Sequence, residues 1–318
     1  MSIDLSALFD PAAIDEETAA FNARLAAELA IAPKMTNFPP DIVRASRAEG
    51  KGALPLGGPL DGSHWFDIPG APGGPARVRI SEPEGEPTGI YLHIHGGGWT
   101  LGAPEQYDAS CQSMARAAGV RVISVAYRLA PEHPWPAQKI DCLAGADWVI
   151  SDSDLPVVIG GESAGAHLAL VTALNLRDRG LANRLAGLVL FYGCYDLRGT
   201  PSAMNWGTRE MVLSTPTIKW FLDFVDPDGQ ARHRPDLSPV LADLDGLPPA
   251  AFLVGTEDPL LDDTLFLAQR WRAAGNQGHL HIYPGGIHGF DAFTDDLTIA
   301  RAARGVAEAF TRDRIVAS

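Results

Sequence analysis

The sequence predicts an α/β protein whose mostly parallel central sheet is flanked by helices. From residue 76 onward, short apolar runs of strand length alternate with longer amphipathic runs of helical length. The apolar runs are nearly continuous, as expected of strands that are buried on both faces between two layers of helices. The chain has 318 residues, of which 46% are hydrophobic, so it can bury a large core around one such sheet.

Seven strands and five helices account for this alternating part of the chain. The strands are predicted at 76–80, 89–95, 120–127, 156–160, 186–193, 250–255 and 279–283. The helices are predicted near 105–118, 137–150, 164–179, 262–274 and 296–312. Such alternation is typical of a parallel sheet that is covered on both faces.

Three segments fall outside the alternation, and the chain is predicted to consist of an N-terminal segment at 1–45 and a main domain at 46–318. Residues 1–45 are predicted to be helical, because apolar residues recur near helical spacing until prolines interrupt the pattern. Residues 50–75 are rich in glycine and proline and are predicted to be a connector without a regular element. Residues from about 197 to 240 lack a strand pattern and are predicted to form one or two amphipathic helices, inserted over the sheet as a lid.

Charge and composition exclude several classes of partner. The formal net charge is −14, so phosphate backbones and anionic membranes would be repelled, and nucleic acid is not expected as a partner. The first residues lack the features of a signal peptide, and no apolar run reaches the roughly 18 residues that span a bilayer. We therefore expect a cytoplasmic protein, and the sequence leaves open whether it forms a homo-oligomer. The three cysteines lie in apolar stretches without CxxC spacing and are expected to be buried free thiols.

The strongest functional motif is GESAG at 161–165, which has the form G-x-S-x-G. It lies directly between a predicted strand and a predicted helix, where glycines on both sides of the serine allow a sharp turn. Such a turn exposes the hydroxyl of Ser163, and the helix N-terminus favours negative charge that develops nearby. Ser163 is therefore predicted to be a catalytic nucleophile rather than part of an ordinary turn.

A second motif, HGGGW at 95–99, stands at the end of a predicted strand. Successive glycines allow backbone N–H groups to face a substrate oxygen without obstruction, as the oxyanion of a tetrahedral intermediate requires. Gly97, Gly98 and Ala164 are the predicted donors. An isolated run of three glycines is more often a flexible connector, but the companion serine motif favours an oxyanion hole here.

Metal chemistry is a weaker interpretation of the same region. His93 and His95 form an H-x-H pair that could project from one face of a strand toward a metal ion. No third ligand lies nearby in the sequence. We therefore predict neither a metal nor another cofactor.

A catalytic serine of this kind requires an acid and a histidine, which are expected to follow it in the chain order serine, acid, histidine. Asp258 follows a predicted strand and is the predicted acid, with Glu257, Asp262 and Asp263 as rivals. His288 lies in a glycine-rich loop after the last predicted strand, from which it could reach the serine as general base. The acid would hold the histidine tautomer and stabilise the imidazolium.

Apolar residues near these motifs are predicted to bind the substrate. The inserted segment carries large apolar side chains that would be exposed unless they packed on the N-terminal helix or lined a cavity. The residues predicted to contact substrate are Trp99, Met204, Trp206, Met211 and Leu213. A covered pocket of this kind would accept acyl chains of a few carbons.

Five motifs, in order, resemble the bacterial hormone-sensitive-lipase-like family of α/β-hydrolase carboxylesterases. They are HGGGW, YRLAPEHPWPA at 127–137, GESAG, DPLLD at 258–262 and IHGF at 287–290. The resemblance implies an α/β-hydrolase fold with an eight-stranded sheet and a helical cap built from the N-terminal segment and the insertion. It also implies hydrolysis of short to medium acyl esters by Ser163, Asp258 and His288 without a cofactor. One departure is Glu162, where aspartate or threonine is more usual.

Other functions share the same constellation. Amide or lactone hydrolysis and acyl transfer to an alcohol would use the same residues, so the sequence leaves them open. A ligand-binding receptor on the same fold is a further alternative, although a receptor would be expected to have lost the serine or the histidine. The predicted partner is a small-molecule ester whose identity the sequence does not specify.

Overall fold

A computed structural model describes residues 6–70 and 76–318 and contains one eight-stranded sheet. The strands are Ser63–Ile68 (β1), Ala76–Ser81 (β2), Ile90–Ile94 (β3), Arg121–Val125 (β4), Val157–Glu162 (β5), Leu185–Phe191 (β6), Ala250–Glu257 (β7) and Gly278–Ile287 (β8). Their order in the sheet is β1-β2-β4-β3-β5-β6-β7-β8. Strands β3 to β8 are parallel, and β2 pairs antiparallel with both β1 and β4. This architecture confirms the predicted α/β-hydrolase fold.

Seven of the strands match the predicted segments, and β1 does not. The prediction that 50–75 lacks a regular element is wrong for Ser63–Ile68, which pairs with β2 along its whole length. The strand lies at the sheet edge and is largely exposed, so it lacks the apolar run that identifies the buried strands. Residues 71–75 of the predicted connector lie outside the described part of the chain.

Nine α-helices are present in the described residues. They are Glu16–Ile31 (α1), Pro40–Ala48 (α2), Asp108–Ala118 (α3), Ala137–Asp152 (α4), Ala164–Asp178 (α5), Pro201–Asn205 (α6), Thr215–Val225 (α7), Leu261–Ala273 (α8) and Thr298–Val316 (α9). All five helices predicted between strands are found. Helix α1 ends at Ile31, just before the first of the prolines, and Pro40 begins the separate helix α2, where its missing N–H costs no hydrogen bond.

The two faces of the sheet bury separate hydrophobic clusters. In β3, Ile90, Leu92 and Ile94 face one cluster, whereas Tyr91 faces the other. Full burial of both faces explains why the strand sequence is almost continuously apolar. All three cysteines are buried and unpaired, as predicted.

The N-terminal segment and the insertion pack in different places. Helix α1 lies against the far edge of the sheet, where Phe21 packs edge-on against Phe293 with ring centroids 4.8 Å apart. The insertion helix α7 instead contacts the short 3-10 turn Met35–Asn37. The insertion therefore packs on the N-terminal segment through the turn that follows α1. None of the described helices is both long enough and apolar enough to span a membrane.

Candidate active site

The four predicted catalytic elements all follow parallel strands. Ser163 comes directly after β5, the glycine loop after β3, Asp258 after β7 and His288 after β8. Because the carboxyl ends of parallel strands meet at one edge of the sheet, the topology brings these segments together.

Ser163 occupies a strained turn between β5 and α5. Its φ of 56° and ψ of −118° lie in a region that L-residues rarely adopt. The flanking glycines permit this turn, because a Cβ on Gly161 or Gly165 would lie 2.1 Å or 1.9 Å from the carbonyl oxygen of Ile94. The strand, the turn and the helix thus hold the serine hydroxyl at the end of the sheet.

His288 bridges the serine and an acid. Its Nε2 lies 2.9 Å from Ser163 Oγ, and its Nδ1 lies 3.0 Å and 3.1 Å from the two carboxylate oxygens of Asp258. Asp258 is 1% exposed, and its Oδ1 also accepts a hydrogen bond from the backbone N–H of Leu260 at 2.8 Å. This hydrogen bond from Leu260 holds the carboxylate in place beside the imidazole.

The three rival acids have other partners. Asp262 accepts from the backbone N–H of Ser202 at 2.8 Å, and Glu257 pairs with Arg209 at 2.5 Å. Asp263 accepts from the N–H of Tyr195 at 2.7 Å and from a threonine hydroxyl. Within the described residues, none of these three carboxylates forms a hydrogen bond with the imidazole of His288.

The glycine loop has left-handed backbone at three consecutive positions. The φ angles are 120° at Gly97, 58° at Gly98 and 58° at Trp99. A Cβ on Gly97 would lie 2.2 Å from the carbonyl oxygen of Leu101, so a side chain is excluded there. Gly97, Gly98 and Ala164 line the same cavity as Ser163.

The two histidines of the H-x-H pair have separate protein partners. His95 Nδ1 donates to the carbonyl of Gly96 at 2.8 Å, and the ring stacks on Tyr127. Burial lowers the pKa of His95 to about 3, so the ring is neutral and serves to shape the glycine loop. His93 bonds Ser124 and Glu162 at 2.7 Å and 3.0 Å. Among the described residues, no group of three His, Cys, Asp or Glu side chains could hold a metal ion.

A cavity of about 490 Å³ opens above the serine. Of the five residues predicted to contact substrate, Trp99 and Leu213 line it. The other three lie outside its lining, so the structure does not support a contact between them and substrate. Met204 is exposed on the outer side of α6, Trp206 donates to the backbone of Arg209, and Met211 is fully buried in the core.

Trp99 is fixed by a buried histidine. Its Nε1–H donates to His167 Nδ1 at 3.1 Å, and His167 Nε2–H donates to the carbonyl of Leu237 at 2.8 Å. Burial lowers the pKa of His167 to about 4, which keeps the ring in the neutral form that both bonds require. The indole thus forms a rigid cavity wall.

A buried ion network beneath the serine was not anticipated from the sequence. It consists of Glu162, His93, Arg304, Asp291 and Tyr192. Arg304 pairs with Glu162 at 3.2 Å and also with Asp291, to which the Tyr192 hydroxyl donates. Burial alone would raise the pKa of Glu162, but His93 and Arg304 outweigh it and keep the pKa below its usual value. Glu162 departs from the residue that is usual at this position of the family motif. Its partners come from distant segments that no local motif connects.

The α/β-hydrolase fold family model matches residues 91–292. The chain is 35% identical over 238 residues to the carboxylic ester hydrolase LipN of Mycobacterium tuberculosis, which covers 71% of this chain and 63% of that protein. It is 31% identical to the carboxylesterase NlhH of the same species, with 75% of this chain and 76% of that protein covered.

Solved structures give the same result over more of the chain. A hyperthermophilic esterase from the archaeon Pyrobaculum calidifontis matches with a TM-score of 0.86 and 30% identity, covering 95% of this chain and 99% of that one. A hormone-sensitive lipase from a metagenome library matches with a TM-score of 0.81 and 28% identity, covering 95% and 99%.

Proposed function

As a member of the hormone-sensitive-lipase-like α/β-hydrolase family, the chain is a carboxylic-ester hydrolase, and we propose that Ser163, His288 and Asp258 are its catalytic residues. The observation that carries this proposal is the continuous chain of hydrogen bonds from Ser163 Oγ through His288 to Asp258. Nucleophile, base and orienting acid stand in the relation that covalent acyl transfer requires.

In the first half-reaction, Ser163 Oγ attacks the ester carbonyl carbon while His288 Nε2 accepts the hydroxyl proton. The tetrahedral intermediate then collapses, the carbon–oxygen bond to the alcohol breaks, and the same proton passes to the leaving alcohol. In the second half-reaction, His288 deprotonates a water molecule that attacks the acyl-enzyme. The serine ester bond breaks, and the proton returns to Ser163 Oγ.

The backbone N–H groups of Gly97, Gly98 and Ala164 form the proposed oxyanion hole. Two observations support this assignment: the three residues lie in the cavity lining beside Ser163, and the two glycines have left-handed backbone. Fixed donors of this kind stabilise negative charge on the carbonyl oxygen without reorganisation during the reaction.

We propose that residues 1–45 and the insertion at about 197–240 act together as a cap. Both contribute apolar residues to the cavity, namely Met35, Phe38, Ile42, Leu213, Ile218 and Phe221. A mainly apolar cavity of about 490 Å³ suits short to medium acyl chains, each buried methylene contributing about 0.8 kcal/mol. Specificity should therefore rise, peak and fall with acyl length.

A panel of p-nitrophenyl esters of increasing acyl length tests the proposal. We expect turnover with an optimum at short to medium chains, and a Ser163→Ala variant with below about a thousandth of the wild-type kcat. Substantial turnover by that variant in a clean preparation, with the fold intact, would overturn the assignment of the nucleophile.

A further inference from the structure

Arg47 lies on α2 and lines the same cavity as Ser163 and the glycine loop. It is half-buried, and a Cβ on the neighbouring cavity residue Gly52 would lie 3.4 Å from its Cγ. The mechanism proposed above gives this guanidinium no role. Its presence in the wall of a mainly apolar cavity therefore needs a separate explanation.

The other arginine of the same helix has a structural role, and its contacts provide a comparison for Arg47. Arg44, one turn earlier, donates to the backbone carbonyls of Thr100 and Ala130 at 2.7 Å and 2.6 Å. It also forms a two-pronged pair with Glu132 at 2.8 Å and 2.9 Å. Its donors are used in holding α2 to the rest of the chain.

Arg47 has no comparable partner. Within residues 6–70 and 76–318, its guanidinium has neither a hydrogen-bond acceptor nor an ion-pair partner. The carboxylates nearest in sequence or in the cavity wall are engaged elsewhere. Glu162 belongs to the buried ion network, Glu49 pairs with Lys51 at 2.7 Å, and Glu210 accepts from a serine hydroxyl at 3.1 Å.

An unpaired guanidinium in a cavity wall favours an anionic ligand. Burial lowers the pKa of Arg47 but does not neutralise an arginine side chain, so the charge persists. Its five donors form a planar fork that matches a carboxylate. The chain as a whole carries a net charge of −14 and would repel an anion at long range, so recognition depends on this local charge. Lys34 also lines the cavity and adds positive charge, whereas the charge of Lys51 is paired with Glu49.

We propose that Arg47 forms a carboxylate-binding subsite within the cavity, so that the preferred substrates are esters that carry a second, free carboxylate. The ester group would lie at Ser163 while the free carboxylate pairs with the guanidinium. The inference rests on the proposed function, because it assumes that this cavity is where esters are hydrolysed.

The test compares acidic esters with neutral esters of matched size. On the acyl side, mono-4-nitrophenyl esters of succinate, glutarate and adipate are compared with 4-nitrophenyl butyrate, pentanoate and hexanoate. On the alcohol side, 4-butyryloxy-3-nitrobenzoate is compared with 2-nitrophenyl butyrate. The readout for each pair is the ratio of kcat/KM for the acidic ester to that for the neutral ester. The acyl series varies the length of the linker between the ester and the free carboxylate.

Three variants separate a specific subsite from a general effect of charge. Arg47→Gln should lower the ratio at least about tenfold for one side of the ester, as expected for loss of a charge-assisted hydrogen bond. Arg47→Lys should retain part of the preference. Arg116→Gln removes the same charge from an exposed position on α3 outside the cavity lining and should leave the ratio unchanged. A ratio that is unchanged in Arg47→Gln, or lowered equally in Arg116→Gln, would overturn the proposal.

A binding measurement separates failure of this subsite from failure of the proposed function. Calorimetric titration of Ser163→Ala with the acidic and neutral esters requires no turnover. Adding Arg47→Gln to that background should raise the Kd of the acidic ester at least about tenfold and leave the Kd of the neutral ester unchanged. Equal effects on both esters would count against the subsite, whereas absence of turnover in the wild type would count only against the proposed function.

Discussion

The Tyr192 ring packs edge-on against the His288 imidazole, with ring centroids 4.8 Å apart and an interplanar angle of 62°. The hydroxyl of the same tyrosine donates to the buried carboxylate of Asp291, which also pairs with Arg304. The proposed base is therefore positioned from two sides, by Asp258 at Nδ1 and by an aromatic ring that is anchored in the buried ion network.

Two substitutions of Tyr192 should separate positioning from stability. Tyr192→Ala removes the ring and should lower kcat more than it changes KM, because His288 loses a packing surface. Tyr192→Phe keeps the ring but leaves Asp291 with one donor fewer, and should cost about 1–3 kcal/mol of unfolding free energy with kcat nearly retained. Steady-state kinetics and urea unfolding measure the two effects. A Tyr192→Ala enzyme with wild-type kcat would show that the ring does not position the base.

The identity of the acid is tested by two isosteric amides. Asp258→Asn should lower kcat at least about a hundredfold, because the amide favours the wrong histidine tautomer. Asp262→Asn should have a much smaller effect, since its oxygen can still accept from Ser202. Steady-state kinetics on one p-nitrophenyl ester compares both. If Asp262→Asn proved the more damaging, the acid would have to be reassigned.

The glycine loop is tested at Gly98. A Cβ there would lie 2.3 Å from the Phe221 ring, at a φ of 58°, so the ring or the loop must shift in Gly98→Ala, and we expect the proposed oxyanion donors to move. We expect kcat to fall roughly 10²–10³-fold, as for removal of an oxyanion-hole donor. Gly57→Ala is the matched control, because nothing lies within 4 Å of its Cβ position. Comparable kcat values for the two variants would exclude Gly98 from the oxyanion hole.

Asp263 should make stability depend on pH. Burial, partly offset by hydrogen bonds from Thr200 and the backbone, raises the pKa of Asp263 from 3.8 to about 7. The folded state therefore binds this proton more tightly than the unfolded state. The contribution of protonated Asp263 to the free energy of unfolding is complete below about pH 4 and is lost as pH rises through about 7. Asp263→Asn has no such proton. The Tm of the wild type minus that of the variant should fall between pH 5 and pH 9, and a constant difference would contradict the assignment.

The sequence contains most of the information that builds the sheet. Strands buried on both faces have nearly continuous apolar sequences, as in β3, and this pattern predicts them. The motif glycines were equally informative, because Gly161 and Gly165 occupy positions where any side chain would collide with the backbone. The exposed edge strand β1 was missed because its pairing depends on a neighbour and not on an apolar pattern.

Contacts between distant segments could not be read from local patterns. Met204, Trp206 and Met211 share an apolar character with Leu213, yet the turn of the insertion determines which side chain faces the cavity. The partners of Glu162 likewise lie on β3 and α9, far away in the sequence. Charged residues such as Arg47 look the same in the sequence whether they are paired or free.

Labelling with a chromogenic alkyl phosphonate ester tests most directly whether Ser163 forms a covalent intermediate. The phosphorus atom is attacked in place of the ester carbonyl, and the nitrophenolate leaves, so the adduct marks the nucleophile. Intact mass and peptide mass spectrometry should find one phosphonyl group per chain on Ser163, with loss of activity in proportion to labelling and no adduct on Ser163→Ala. Inactivation that coincides with labelling of a different residue, or equal labelling of Ser163→Ala, would contradict the account.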